Sequence, residues 1–255
     1  MNNTKEIKIR IYKATDNLAA CQRFADGHAA VLESYGIKKV TSSNTSWFYD
    51  EDVYLMMVES ISGDIIYGGT RIHIKNNEFK LPLESAVEDI APEINTLLKF
   101  NKNAKTGELC GLWNAKIMSG SGLSTLLIKA GVAKAGIFAA EKLNLKSLYT
   151  LSAPWTISTV QTLGFVIEES VGNKGRFQYP TPDLIATILV LKDIDTLRNA
   201  DYKERIDILS LRENPVQTRT ENGPKGIMEV EYNLIISPIE LESYILNIDA
   251  KNQSY

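Results

Sequence analysis

The stretch "KIMSGSGLSTLLIKAGVAKAG", Lys116 to Gly136, sets a Gly-Ser-Gly turn directly before an alanine-rich helical pattern. Such a turn leaves backbone N–H groups without partners at the positive end of a helix, which suits an anion such as a pyrophosphate. A flexible, serine-capped connection would use the same residues, and the spacing alone leaves both readings open. Other phosphate motifs do not fit, because "GSGLST" lacks the P-loop lysine and the third glycine of a dinucleotide fingerprint. Further chemistry-bearing residues are few. His28, His73, Cys21 and Cys110 are the only histidines and cysteines, without the spacing a zinc site needs, so no metal is expected. No serine, histidine and aspartate stand at nucleophile-elbow spacing, which argues against a hydrolase.

The turn has chemistry only if a strand delivers the chain to it and a helix carries it away. "ELCGLWNAKIM" (Glu108 to Met118) reads as that strand. The following helix is expected from about Ser124 to Leu143, with an apolar stripe at Leu126, Ala130, Ala133, Ile137 and Ala140. Upstream, Ile7, Ile9 and Ile11 alternate with polar residues as a half-buried strand, and Leu18 to Tyr35 reads as a helix stopped by Gly36. Val53 to Ser60 and Ile65 to Lys75 flank turn residues and form a hairpin. Ser85 with Glu88 fits a capping box and Pro92 a second helix start. Leu145 to Ala153, a short helix "WTISTVQTLG", the strand "GFVIEES" and a last strand Leu184 to Asp193 follow. Beyond them, Asp195 to Arg212 is charge-rich and Pro215 to Gly226 loop-like. Met228, Val230, Tyr232 and Leu234 then alternate as a strand suited to a sheet edge, before a short amphipathic stretch, "SPIELESYIL".

With 255 residues, 44% hydrophobic and 23% charged, the chain can bury a sizeable core. A net charge of −3 without a basic stripe excludes an ordinary nucleic-acid binder. No apolar run of membrane-spanning length is read, the N-terminal residues lack the apolar core of a signal peptide, and the two cysteines read as buried free thiols. A cytoplasmic location is the expectation.

This order of elements resembles the GCN5-related N-acetyltransferase (GNAT) superfamily over residues 7–193. "YGGTRIHI" is similar to the family's glycine-containing hairpin strand. "IMSGSGLSTLL" is similar to its acyl-CoA pyrophosphate loop, R/Q-x-x-G-x-G/A, and "STVQTLGFVIEES" to the short helix and "LGF" before a late strand. Two positions depart: Ile117 stands where the family has Arg or Gln, and Val160 where many members carry a tyrosine as general acid. A backbone N–H cradle needs its glycines and a helix start more than one cation. A narrower resemblance, to acyl-homoserine-lactone synthases and long-chain N-acyl amino acid synthases, rests on "WFYDEDVYL" (Trp47 to Leu55), Arg71, Leu81-Pro82 and Glu108, in that order.

The resemblance implies an α+β fold, a GNAT-like mixed central sheet flanked by helices over residues 1–193, with a helical insertion at 79–105. Residues 194–255 are expected to be a C-terminal accessory extension. It also implies an N-acyltransferase that uses acetyl-CoA or a longer acyl-CoA and an amine acceptor, by direct attack without a covalent enzyme intermediate. Acyl carrier protein is an alternative donor, an inactive GNAT-shaped binding module is the alternative class, and a homodimer is left open.

Glu108 is then the candidate base, against a plain surface charge at a strand end. Tyr149 and Ser152 are candidate proton donors in place of Val160, with Tyr149 equally readable as core. Backbone N–H groups near Lys116, Ile117 and Met118 would hold the pantetheine and the thioester carbonyl by extending the sheet. Gly120, Ser121, Gly122 and Leu123 would meet the pyrophosphate, with Ser124 as cap. Arg71 is a candidate partner for an acceptor carboxylate, against a salt bridge to Glu84, Glu88 or Asp89. His73 borders the expected acceptor cleft. His28 reads as packing or solvated, and Trp113 and Trp155 as core or cleft wall.

Overall fold

The computed structural model describes residues 4–37, 44–140 and 143–236, so the amphipathic stretch Ser237 to Leu246 lies outside the described residues. Alternation decides the first strand. In β1 (Lys5–Lys13) the side chains of Ile7, Ile9 and Ile11 are buried, each full burial worth roughly 2 kcal/mol. Helix α1 (Leu18–Ser34) begins where the Asn17 side chain accepts the Ala20 N–H at 2.9 Å. Strands β2 (Val53–Glu59) and β3 (Ile66–Ile74) form the expected antiparallel hairpin.

The helical insertion consists of two short helices, α2 (Pro82–Val87) and α3 (Ile94–Leu97). The start of α2 differs from the expected Ser85–Glu88 box. Proline takes the first helical position and Glu84, three residues past Leu81, accepts the Leu81 N–H at 2.7 Å. Strand β4 (Lys105–Asn114) starts and stops earlier than expected, and Lys116–Met118 form a 3-10 turn instead of its last residues. Then come α4 (Leu123–Ala140), β5 (Leu145–Ser152), α5 (Ile157–Thr162), the two-residue β6 (Val166–Ile167), β7 (Arg176–Gln178) and β8 (Ile185–Leu191).

The C-terminal part is more regular than its composition suggests. Asp195 to Arg212 contains most of helix α6 (Tyr202–Glu213), and the expected loop at 215–226 is largely a strand, β9 (Val216–Gly223). β10 (Gly226–Asn233) buries Met228, Val230 and Tyr232, as its alternation requires. All strands join one mixed sheet in the order β6-β8-β5-β4-β3-β2-β1-β10-β9, with β7 also on β8. β4 with β5 and β1 with β10 are parallel; the other pairs are antiparallel.

One face of the sheet carries α4, whose other side is covered by α6. Contrary to expectation, α4 is long and apolar enough to cross a membrane by length and composition, yet 72% of it is buried within this fold. Lys129 on α4 reaches Glu204 at 2.7 Å and Asp207 at 3.0 Å, and Arg219 of β9 shares Asp207. The opposite face carries α1 and the insertion over two smaller apolar clusters.

Candidate active site

The site begins where two parallel strands stop pairing. β4 and β5 pair from Lys105↔Leu145 to Glu108↔Tyr149, with a register shift after Lys105, and then part, although β4 runs on to Asn114 and β5 to Ser152. Gly111 of β4 has φ +60°, and the register with β3 slips around it, from Gly69↔Trp113 to Arg71↔Cys110. A bulge of this kind bends its strand, and a glycine accepts the positive φ without strain. The gap between the strands holds a cavity of about 230 Å³ that reaches both faces of the sheet. Leu112, Ile128, Val160 and Phe165 supply apolar wall, and Thr150 and Ser152 supply hydroxyls 3.4 Å apart. Trp155, 70% exposed, stands at the cavity's rim as cleft wall, whereas Trp113 packs against Phe24 in the core.

Glu108 lines this cavity and is 2% exposed, so it is not a surface charge at a strand end. Its Oε2 accepts the Leu83 N–H at 2.9 Å. Burial pushes its carboxyl up to about 8, with Glu84 adding to the rise and the Leu83 N–H and Arg71 opposing it. A carboxylic acid tuned to that range can exchange a proton near neutral pH. Across β3 and β4 the register sets His73 beside Glu108 and Arg71 beside Cys110, so these four side chains share the face beneath α1 and α2.

Arg71 is fully buried, with its guanidinium 4.1 Å from the Trp47 ring centre and 5.3 Å from that of Phe24. Of the acidic side chains considered beside it, Glu84 pairs with Lys75 at 2.8 Å and Glu88 with Lys80. Burial and the neighbouring guanidinium hold His73 well below the usual histidine range, so its imidazole is neutral. Arg71 and His73 line a second cavity of about 230 Å³ with Trp47, Asp50, Phe79 and Lys80. Pro82 borders both cavities.

Three sequence expectations change. Lys116, Ile117 and Met118 are not extended backbone at the gap; Ile117 is 75% exposed, and buried Met118 accepts a hydrogen bond from Lys5 at its sulfur. The unpaired edge at the gap is that of β4 beyond Glu108. Tyr149, the register partner of Glu108, packs into the apolar cluster with Leu83, Ile188 and Val190 and lines neither cavity. Ser124 is not the cap, since α4 starts one residue earlier; its hydroxyl accepts the Asn114 amide at 2.7 Å. His28, expected to be packing or solvated, packs against Phe24 and also lines the first cavity, and burial takes it down to about 4.

In the turn itself, Gly120 and Gly122 have φ +69° and +91°. The Ser121 N–H is spent on Met118 O, while those of Gly120, Gly122, Leu123 and Ser124 meet no acceptor among the described residues. The tip of the β9–β10 hairpin rests on this turn. A Cβ on Gly122 would lie 3.0 Å from Pro224 Cδ, and one on Gly120 would lie 3.1 Å from Lys225 Cε. Lys225 therefore brings a cation to the turn in which Ile117 supplies none. Sequence reasoning missed it because it arrives from roughly a hundred residues downstream, through an edge hairpin.

No protein-family model matches the chain, and no curated protein does. Solved structures do match. FeeM, an N-acyl amino acid synthase from uncultured soil microbes, aligns with a TM-score of 0.56 at 16% identity, over 78% of this chain and 97% of its own. BjaI, a CoA-dependent acyl-homoserine lactone synthase, aligns at 11% identity over 90% of this chain and 94% of its own. Its TM-score is 0.51 with SAM and isopentyl-CoA bound and 0.52 with MTA. At these identities the likeness is one of architecture: the chain has the α+β fold of the GNAT-like acyltransferases, a large mixed sheet flanked by helices.

Proposed function

We propose that this chain is an N-acyltransferase, moving an acyl group from an acyl-CoA thioester to the amine of a small acceptor that carries a carboxylate. The observation that carries the reading is the parting of β4 and β5 with Glu108 buried in the cavity between them. An extended pantetheine can add itself to the open edge of β4 as a further strand would. The diphosphate would take the N–H groups of Gly120, Gly122, Leu123 and Ser124, with Lys225 beside them. The acyl group then lies along the apolar wall.

The acceptor enters from the second cavity, its carboxylate toward Arg71 and its amine toward Glu108. Ionised Glu108 takes a proton from the ammonium form, and the free amine attacks the thioester carbonyl. The tetrahedral intermediate expels CoA thiolate as the amide forms; the proton held by Glu108 passes to the departing sulfur, directly or through the Ser152 hydroxyl, and Glu108 takes the second nitrogen proton and returns it to solvent. The carboxylate-bearing acceptor is supported by the buried Arg71 in the cavity wall, and an N-acyl amino acid synthase shares the fold.

Thermal shift with acetyl-CoA and octanoyl-CoA tests the donor. Saturating binding should raise the melting temperature by about 5 °C or more. No shift with any CoA species would remove the enzymatic reading, and turnover of octanoyl-acyl carrier protein alone would reassign the donor. Two substitutions refine it. Lys225→Met should weaken CoA binding about fivefold at low salt, since an exposed charge contact contributes at most about 1 kcal/mol, and the difference should vanish near ~0.5 M salt. Val160→Phe narrows the acyl wall, so kcat/KM for octanoyl-CoA should fall about tenfold relative to acetyl-CoA.

A further inference from the structure

The helical insertion touches the candidate base directly, and the contacts form a connected chain. Lys75, one residue past β3, places its ammonium 2.8 Å from Glu84 Oε2 and 3.2 Å from Oε1. Both side chains are largely buried, and the Lys75 backbone N–H is fixed on Thr106 O of β4 at 2.8 Å. Glu84 Oε2 also accepts the Leu81 N–H at 2.7 Å, which shapes the first turn of α2. Leu83, in that turn, has an N–H that cannot find an acceptor inside its own helix. It donates to Glu108 Oε2 at 2.9 Å. Glu108 Oε1 keeps no hydrogen-bond partner among the described residues, and Glu108 lines the cavity.

We propose that Glu84, held by Lys75, is a positioning residue that aims the Glu108 carboxylate at the acceptor amine through the first turn of α2. The proposal rests on the reading of Glu108 as the base. A carboxylate with one oxygen fixed by a backbone N–H presents the other in a single direction, and a misplacement of about 1 Å at such a group costs up to ~100-fold in rate. The arrangement also accounts for Leu81-Pro82, because proline at the first helical position starts α2 where Leu83 can reach β4.

Charge enters as well. The groups facing Glu108 are Arg71 and His73 from β3, Cys110 from its own strand, Tyr149 from β5 and Glu84 from α2. Glu84 raises the Glu108 carboxyl while Arg71 and the Leu83 N–H lower it. Neutralising Glu84 without losing its acceptor oxygen should therefore move Glu108 to lower pH with its aim intact.

The test uses the full chain, octanoyl-CoA, a mixture of the proteinogenic amino acids, thiol release as readout, and ¹³C NMR titration of the Glu108 carboxyl. Glu84→Ala should lower kcat roughly ten- to a hundredfold with KM for octanoyl-CoA unchanged. Glu84→Gln should keep kcat within about threefold while the Glu108 titration and the acidic limb of the rate shift to lower pH, as loss of the carboxylate charge requires. Lys75→Met should shift both upward. If Glu84→Ala fails to fold, the Glu84→Gln titration decides alone. Unchanged kcat in Glu84→Ala, or an unmoved Glu108 titration in Glu84→Gln, would overturn the proposal. Glu108→Gln in the same assay separates the two levels: an active Glu108→Gln removes the base itself, whereas an inactive one with a normal Glu84→Ala removes only the positioning.

Discussion

Glu108→Gln is expected to lower kcat/KM by about 10²- to 10⁴-fold while acyl-CoA still raises the melting temperature. The amide keeps the shape of the side chain and can still accept the Leu83 N–H, so the loss isolates proton abstraction from architecture. In the native protein the rate should climb with pH and level off above about 8, where the buried carboxyl ionises. The substitution removes that limb. Stability moves the other way. The folded-state value of Glu108 is raised above its ordinary range, so the folded protein binds this proton more tightly than the unfolded chain does. Its contribution is fully present below the unfolded value near ~4.3 and is lost progressively as pH rises to about 8. Glu108→Gln should therefore melt higher than the native protein at pH 9, and the gap should shrink toward pH 5. A native-like rate in Glu108→Gln, or a gap of the opposite sign, would exclude Glu108 as the base.

Arg71→Met is the second large effect. The methionine fills much of the same volume between Trp47 and Phe24, so the site loses a cation more than a shape. KM for a carboxylate-bearing amine should rise about 100-fold, as expected when a charge-assisted, two-pronged contact is removed. The corresponding decarboxylated amines should be unaffected. The guanidinium also holds the Glu108 carboxyl down, so its removal should move the acidic limb of the rate to higher pH. Arg71→Lys should restore the limb better than the KM, since an ammonium carries the charge without the planar fork. Equal loss for amines with and without a carboxylate would show that Arg71 serves the fold rather than the acceptor.

What the sequence disclosed follows its periodicities. β1 and β10 were legible because Ile7-Ile9-Ile11 and Met228-Val230-Tyr232 keep strict alternation, one face buried and one wet. β9 was illegible for the same reason inverted: VQTRTENG is an edge strand with little to bury, and its composition matches a loop. Helix α6 hid behind its charges, being tied down by Ile208 and Leu211 and by carboxylates that pair with Lys129 and Arg219 of other elements. At the candidate site, the strand order put Glu108 forward and the structure buries it in the cavity wall, while of the two readings open for Tyr149 the structure has the core. The bulge at Gly111, the helix turn that holds Glu108 and the approach of Lys225 all depend on contacts between distant segments. No local pattern encodes them.

The parallel seam between β1 and β10 sets a rule for synthesis. During translation Ile7, Ile9 and Ile11 emerge early, but the neighbour that covers their strand edge is made roughly 220 residues later, a long-range closure of the kind that folds slowly. Until Val216–Asn233 has left the ribosome, β1 is an open edge and the Gly-Ser-Gly turn lacks the hairpin that rests on it. Nascent chains stopped short of that hairpin would expose a sticky strand and an uncovered Gly-Ser-Gly turn together. The order of assembly thus leaves the turn without its covering hairpin until Val216–Asn233 has been made.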